Sequence, residues 1–575
     1  MKRQAGSMLA VLALVLGLAV LGPAQTRTLT ILHTNDTHSA LLPFTHQPYP
    51  TPFTWLLADH GRGWPDGFRG PIGFNREYAG IARMATLINR IRAVKKNVLA
   101  LNAGDVFVGS FEFNEYLGYP ELKIMENLYD AMTLGNHEFD LGLGGLTGVV
   151  TGALAHGDPV QLPLLCANFA FVNPNDPNDP YNVLAGIVKE SIIRTIDGVK
   201  VGIFGLTVED PLNYSPDIAS RFSGHPLDVA AAQAASLRAS GCRVVICLSH
   251  EGTSFDIDQL SQVAGIDIIV GGHSHDLFKK AVLRNGKIIV QAGSHGRYLG
   301  ELQVAVDAGG VKFLSWRTQE VDKAVKPDPT IAAHLALLRQ GIEADPRFGQ
   351  VYTGRVAFAV RNIAHDWPVV GPFRDAPLGI LVSDAMKSAL LASPTVPPVD
   401  CVLDALGYTE FGIPAGKVVG NDVMRAVPYG YDPDSGLGFK VVVTMLPPEA
   451  IIAGLEFSVS SIETTHSVCI QPSGLTFAYD SSKPAGSRVD PLSVKIGGVP
   501  IVGSGRPYYV VGMTDQVFNF LNGLMGGGLT RLDPDPAIFE YNAVRDYMTS
   551  LGFVNTKSEG RVIDTAATEA AVRRK

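Results

Sequence analysis

Short apolar runs that end abruptly in polar, metal-seeking side chains recur along the first half of the chain. Residues 28–32 are β-rich and close on His33, Thr34, Asn35 and Asp36. Residues 98–101 close on Asn102, Ala103, Gly104 and Asp105, and residues 130–134 lead into Gly135, Asn136 and His137. Residues 199–206 form another strand-like run. The run 243–248 is followed at once by Ser249 and His250, and 266–270 by Gly271, Gly272, His273, Ser274 and His275. Between them, 81–96 places Met84, Leu87, Ile88, Ile91 and Val94 at helical spacing, and 227–240 reads as a helix stopped by Gly241. This alternation predicts an α/β domain with parallel or mixed sheets. The Pro- and Gly-rich stretch 41–75 reads as a long loop after the first strand, and 173–182 as a second irregular loop. An amphipathic helix over 327–345 reads as a connector. Beyond it the texture shifts to β-type runs and turns, clearest at 441–445, 475–479 and 508–513, and 565–575 reads as a frayed end. The organisation expected is a leader at 1–24, a catalytic domain at 27–325, a connector helix at 326–348 and a second domain at 349–565.

The leader rests on Lys2 and Arg3, then an unbroken apolar run of 14 residues from Met8 to Leu21, then the small residues Gly22 and Ala24 around Pro23. That is the layout of a secretory signal peptide, too short for a membrane span. It predicts a periplasmic or secreted protein. No cysteine follows the run to suggest a lipid anchor, and no apolar run of spanning length occurs later. A formal charge of −8 argues against a polymeric nucleic-acid partner. Five cysteines, Cys166, Cys242, Cys247, Cys401 and Cys469, leave one unpaired within the chain. Read as one strand, 242–247 puts Cys242 and Cys247 on opposite faces and forbids their pairing. All five read best as small buried hydrophobes, with one or two bridges among the others left open.

Open α/β sheets present ligands beyond the carboxyl ends of their strands. Here five such ends carry Asp36 with His38, Asp105, Asn136 with His137, His250, and His273 with His275. Any one alone is an ordinary turn or cap; their joint recurrence predicts a metal centre. Seven candidate ligands, Asp36, His38, Asp105, Asn136, His250, His273 and His275, exceed the roughly four to six positions of one transition ion. Two ions are therefore expected, with Asp105 as the shared carboxylate. Mixed carboxylate, amide and imidazole donors suit Zn, Mn, Fe or Co better than Ca or Mg. Such a pair activates water and clamps the oxygens of an in-line displacement, and two divalent ions outweigh the two acidic ligands, which favours a phosphate substrate. His137 and Asp140 are three apart, so the carboxylate can fix the imidazole tautomer and raise its basicity.

The segments TILHTNDTH, ALNAGD, TLGNHEFDLG, CLSHEG and IDIIVGGHSHD resemble the secreted 5′-nucleotidases, a family that includes UDP-sugar hydrolases and 2′,3′-cyclic-nucleotide phosphodiesterases. The resemblance implies a four-layer α/β/β/α metallophosphoesterase domain and a smaller α+β substrate-binding domain. It implies one ion on Asp36, His38, Asp105 and His275, the other on Asp105, Asn136, His250 and His273, and a catalytic dyad of His137 and Asp140. In the second half, 378–386, 473–480 and 487–489 resemble later family segments. Pro428-Tyr429-Gly430-Tyr431 resembles the family's Pro-Phe-Gly-Asn, so Tyr429 is the ring expected to stack on a base, while Tyr431 lacks the amide. The family's Gly-Gly-Ile-Arg is absent. The segment 405–410, ending in Glu410, stands in its place without the phosphate-binding arginine. Arg374 and Phe518 are the remaining candidates for substrate contact. The function expected is release of phosphate from a small nucleotide. Cyclic or other phosphodiesters are the main alternative. A thiosulfohydrolase-like enzyme is disfavoured by Asp140, and a non-catalytic binding protein by the complete ligand set.

Overall fold

The computed structural model describes residues 26–45, 77–173, 176–209, 214–365, 371–533 and 538–566. The leader, most of the 41–75 loop and the last residues of the tail lie outside these. The first domain holds two six-stranded sheets. One runs β12-β11-β1-β2-β3-β4, from Gly310–Glu320 (β12), Tyr298–Asp307 (β11), Arg27–Thr34 (β1), Val98–Asn102 (β2), Ala131–Thr133 (β3) and Leu164–Leu165 (β4). The other runs β5-β6-β7-β8-β10-β9, from Ser191–Ile196 (β5), Val199–Thr207 (β6), Val244–His250 (β7), Ile268–Gly271 (β8), Lys287–Val290 (β10) and Val282–Arg284 (β9). The central strands β1 to β4 are mutually parallel, as are β6, β7, β8 and β10.

The two-residue period of each strand builds the layers. On β1, Leu29 and Ile31 face the apolar seam between the sheets, and Leu32 faces helices outside; on β7, Val244, Ile246 and Leu248 face the seam, and Val245 and Cys247 face outward. Each fully buried aliphatic side chain in that seam contributes roughly 1.5–3 kcal/mol. Helix Ile81–Val94 covers the first sheet with Met84, Leu87, Ile88 and Ile91, and helix Pro226–Ala239 covers the second with Ala230, Ala234 and Leu237. The result is the α/β/β/α stack. Two expectations need correction. Val94 shares the apolar spacing but is 78% exposed, because the helix ends at that residue. Cys242 precedes β7 in the turn after helix Pro226–Ala239, so strand alternation does not reach it. It packs in the same outer cluster as Cys247, and all five cysteines are buried and free.

Asp328 caps helix Pro329–Ala344 by accepting from the backbone N–H groups of Thr330 and Ile331, and this helix leads to the second domain. There a four-stranded sheet, ordered Val441–Leu446, Tyr509–Thr514, Cys401–Ala405 and Ile470–Ser473, is covered by helices Pro377–Ala392 and Glu540–Leu551. The domains interlock. Phe111, on the first, packs into the core of the second against Phe348 and Tyr541, and Tyr352 donates to Glu112 at 2.8 Å. No helix among the described residues is long and apolar enough to cross a membrane.

Candidate metal centre

The five strand ends belong to two sheets. β1, β2 and β3 deliver Asp36 with His38, Asp105, and Asn136 with His137; β7 and β8 deliver His250, and His273 with His275. Because the sheets stack face to face, their carboxyl edges meet in one cleft. There the side chains converge as two groups, Asp36 with His38 and His275, and Asp105 with His250 and His273, the donor atoms of each lying within 4.8 Å of one another. Asp36 Oδ1 is 3.5 Å from His275 Nε2 and 3.9 Å from His250 Nε2, while Asp105 Oδ2 is 2.9 Å from His250 Nε2 and 4.0 Å from His38 Nε2. Asp105 thus stands between the groups. Asn136 Oδ1 lies 3.1 Å from His273 Nδ1, and His38 Nε2 lies 3.0 Å from His275 Nε2.

The backbone is bent to achieve this. Asp36, His38, Asp105, His273 and His275 all take left-handed φ values, between 44° and 70°, uncommon for residues with a Cβ. Such conformations concentrate at functional sites, where the surroundings hold them. The glycines allow the close approach. A Cβ on Gly135 would sit 2.2 Å from Asp105 Oδ1, and one on Gly272 would sit 2.6 Å from the Ala103 carbonyl oxygen.

Two supporting residues escape a reading of ligand types. Asn35 donates from Nδ2 to Asp36 Oδ2 at 2.6 Å and accepts at Oδ1 from the Ala292 N–H, fixing the carboxylate from behind. Buried Glu138 accepts four backbone N–H groups: Val106 and Phe107 on Oε1, at 2.7 and 3.2 Å, and Asp105 and Gly135 on Oε2, at 3.0 and 2.6 Å. It ties the β2 loop to the β3 loop. His295 is a third addition. It stands with His275 and Glu410 in a further group of donor atoms, after β10 and beside Gly296, and its glycine flank was the available signal.

The donor set fits divalent metals. His250 Nδ1 lies 2.6 Å from the Ala103 carbonyl, an acceptor, so that nitrogen carries the proton. Nε2 lies 2.9 Å from Asp105 Oδ2 without an aligned hydrogen bond. Without a metal, a proton on Nε2 offsets the buried carboxylate, and a divalent ion would take that proton's place. Burial opposes the charged form of His250, but Asp105 outweighs it and raises the group to about 10. Burial lowers His38 to about 3 and His273 to about 4, and holds His275 well below its ordinary range, so these three stay neutral lone-pair donors. Burial raises Asp36 to about 8. It also works upward on Asp105, where the neighbouring imidazoles of His250 and His137 win and hold the carboxyl well below its usual range.

His137 Nδ1 is 2.8 Å from Asp140 Oδ2, and its backbone N–H donates to Asp105 Oδ1 at 3.0 Å. Burial opposes its charge, but Asp140 and Asp105 raise it to about 10. Tyr429 reaches across from the second domain and stacks on the His137 ring at 5.7 Å and 25°. Tyr431 meets Phe113 edge-on at 6.0 Å. The other two sequence-read substrate residues sit on other elements of the second domain. Arg374 is exposed beside Phe373, whose backbone bonds Tyr479, and Phe518 is buried in the second domain's own core. Arg374 precedes helix Pro377–Ala392, and Phe518 turns inward from helix Asp515–Leu524.

This fold and cleft define a two-domain phosphoesterase. The family model for calcineurin-like phosphoesterases matches residues 29–277, and that for the 5′-nucleotidase C-terminal domain matches 366–519. The chain belongs to this family. It is 28% identical over 442 residues to the trifunctional nucleotide phosphoesterase of Bacillus subtilis, a match covering 72% of this chain but only 29% of that much longer protein. It is 26% identical to the 5′-nucleotidase of Diplobatis ommata, over 94% of this chain and 91% of that one. The crystal structure of a 5′-nucleotidase precursor from Thermus thermophilus superposes with a TM-score of 0.75 at 27% identity, covering 94% of this chain and all of that one.

Proposed function

We propose that the chain is an exported dimetal phosphohydrolase that releases phosphate from nucleotides. Asp36, His38, Asp105 and His275 hold one ion, and Asp105, Asn136, His250 and His273 the other. The observation that carries this is the gathering of imidazole, carboxylate and amide donors from five strand ends into two groups, Asp36 with His38 and His275, and Asp105 with His250 and His273, with Asn136 Oδ1 3.1 Å from His273 Nδ1. Bound there, two divalent ions supply Lewis acidity toward water and phosphoryl oxygens. The chain's own residues do the rest. His137, held by Asp140 through Nδ1, keeps a proton on Nε2 at neutral pH and offers it to the departing ester oxygen or to charge developing on phosphorus-bound oxygen. Asn35 and Glu138 fix the two aspartates so that no reorganisation is needed during the reaction. Tyr429 places an aromatic face beside the dyad, which favours a substrate bearing a nucleobase over a bare phosphoester. The leader, read from the sequence alone, supports a periplasmic or secreted location.

The test is phosphate release by the leader-free protein with Mn, Co, Zn or chelator, on AMP, UMP, UDP-glucose, 2′,3′-cyclic AMP and bis-p-nitrophenyl phosphate. Metal-dependent turnover of a 5′-monophosphate, lost in Asp105→Asn and His137→Ala, is the expected result. Turnover of only the cyclic or diester substrates keeps the centre and discards the 5′-nucleotidase reading.

A further inference from the structure

Glu410 is a carboxylate of the second domain buried in the wall of the first domain's metal cleft. It is 1% exposed, and its Oε1 has no hydrogen-bond partner. A buried, unpartnered carboxylate oxygen is costly, so such a group in a folded protein needs a reason. Its direction supplies one. Oε1 points at two imidazole nitrogens of the first domain, His295 Nε2 at 3.7 Å and His275 Nδ1 at 3.9 Å. Its other oxygen is pinned by the Tyr429 hydroxyl, which donates to Oε2 at 2.7 Å.

The tautomers follow from the neighbours. His275 Nε2 faces the fellow donors Asp36 Oδ1 and His38 Nε2, so with an ion held among them it would give its lone pair to that ion and leave the hydrogen on Nδ1. His295 Nδ1 lies 2.9 Å from the Ser294 hydroxyl, which can donate to it and leave the hydrogen on Nε2. Glu410 Oε1 therefore faces two N–H donors, about 1 Å beyond the length of a charge-assisted bond. The wedge that brings it there is fixed. Phe411, next in the chain, packs edge-on to His295 at 4.6 Å and to Phe44 at 5.2 Å, with the buried Arg425 guanidinium over Phe44 at 4.6 Å.

We propose that Glu410 is a positioning residue for His275, accepting from Nδ1–H across the domain boundary so that one of the two ion sites is fully assembled only with the domains together. This rests on the reading of His275 as a ligand. A carboxylate behind a ligating imidazole fixes its orientation and raises its basicity, and loss of such a partner weakens metal affinity about 10–100-fold. By linkage, an ion drawn to His275 favours the arrangement that brings Glu410 in.

The experiment is equilibrium dialysis of Mn(II) against the full leader-free chain, wild type, Glu410→Gln and Glu410→Ala, with the Co(II) absorption spectrum as a second readout. Thermal unfolding in chelator controls for folding. The expected result is two ions per chain in wild type. In both variants one ion should weaken about 10–100-fold, the other keep its affinity, the Co(II) bands of the weakened site shift, and unfolding in chelator stay within a few degrees. Two ions bound with wild-type affinity and spectrum in Glu410→Gln overturn the proposal while leaving the dimetal reading intact. Equal weakening of both ions with a large loss of thermal stability overturns it in favour of a merely structural role. A third ion in wild type, lost in Glu410→Gln, overturns it in favour of a cation held directly by His275, His295 and Glu410. No ion in wild type removes the dimetal reading and this proposal together.

Discussion

Replacing Glu138 by glutamine should damage the metal centre although Glu138 touches neither ligand side chains nor substrate. The side chain keeps its size and loses one acceptor oxygen. Each oxygen now receives two backbone N–H groups, Val106 and Phe107 on one and Asp105 and Gly135 on the other. Whichever way the amide turns, two buried N–H donors face an NH₂ group. Stranding a buried donor costs about 1–3 kcal/mol, so two cost about 2–6 kcal/mol. Against a total stability of about 5–15 kcal/mol that is a large fraction. Burial and the Asp105 charge both push the Glu138 carboxyl upward, and the Gly135 and Val106 N–H bonds oppose them. A glutamine has no charge for those donors to stabilise. The strain would fall on the two loops that carry Asp105 and Asn136. The assay is urea unfolding in chelator, reading the midpoint at constant m-value, followed by metal content after dialysis. A midpoint within about 1 kcal/mol of wild type and unchanged metal content would refute the argument that this carboxylate ties the two loops together.

Three further outcomes follow from the same geometry. Gly135→Ala puts a methyl 2.2 Å from Asp105 Oδ1, so metal content measured by mass spectrometry should fall while the far-ultraviolet spectrum stays native. Chelation should lower the melting temperature, and Mn or Zn should restore it; at a thousand times Kd each ion adds about 4 kcal/mol, and no metal-dependent shift would speak against resident ions. His33 is buried with neither ring nitrogen bonded, stacked on Trp316 at 5.2 Å, and burial lowers it to about 3. The unfolded chain takes up this proton near pH 6.5 and the folded chain only near 3, so its contribution is present above 6.5 and lost as pH falls toward 3. The slope is about 1.4 kcal/mol per pH unit, and His33→Phe should remove that share from the pH dependence of urea midpoints between 4 and 6.5.

What the sequence made legible was chemistry fixed locally by a strand end; what it hid was chemistry made by distant contacts. Asp36, His38, Asp105, Asn136, His250, His273 and His275 could be singled out because each follows an apolar run, and a stack of two sheets gathers such ends whichever sheet a run joins. That β1 and β7 belong to different sheets was not readable, since both are covered on both faces, β1 over its last six residues and β7 throughout, and neither pattern marks which sheet a strand joins. Glu138 was invisible for another reason: its work is to accept backbone N–H groups, and no residue spacing records that. The second domain shows the limit most clearly. Tyr429 does stand at the cleft, but its hydroxyl is spent on Glu410, a residue first noticed only as the place where an arginine is missing. The segment 405–410 sets the Glu410 carboxylate 3.9 Å from His275 Nδ1. Phe518 is claimed by the second domain's core on helix Asp515–Leu524, and Arg374 is exposed just before helix Pro377–Ala392, placements that residue type alone does not record. Substrate recognition in this chain therefore has to be argued from the second domain, and the residue it buries 3.9 Å from His275 is acidic.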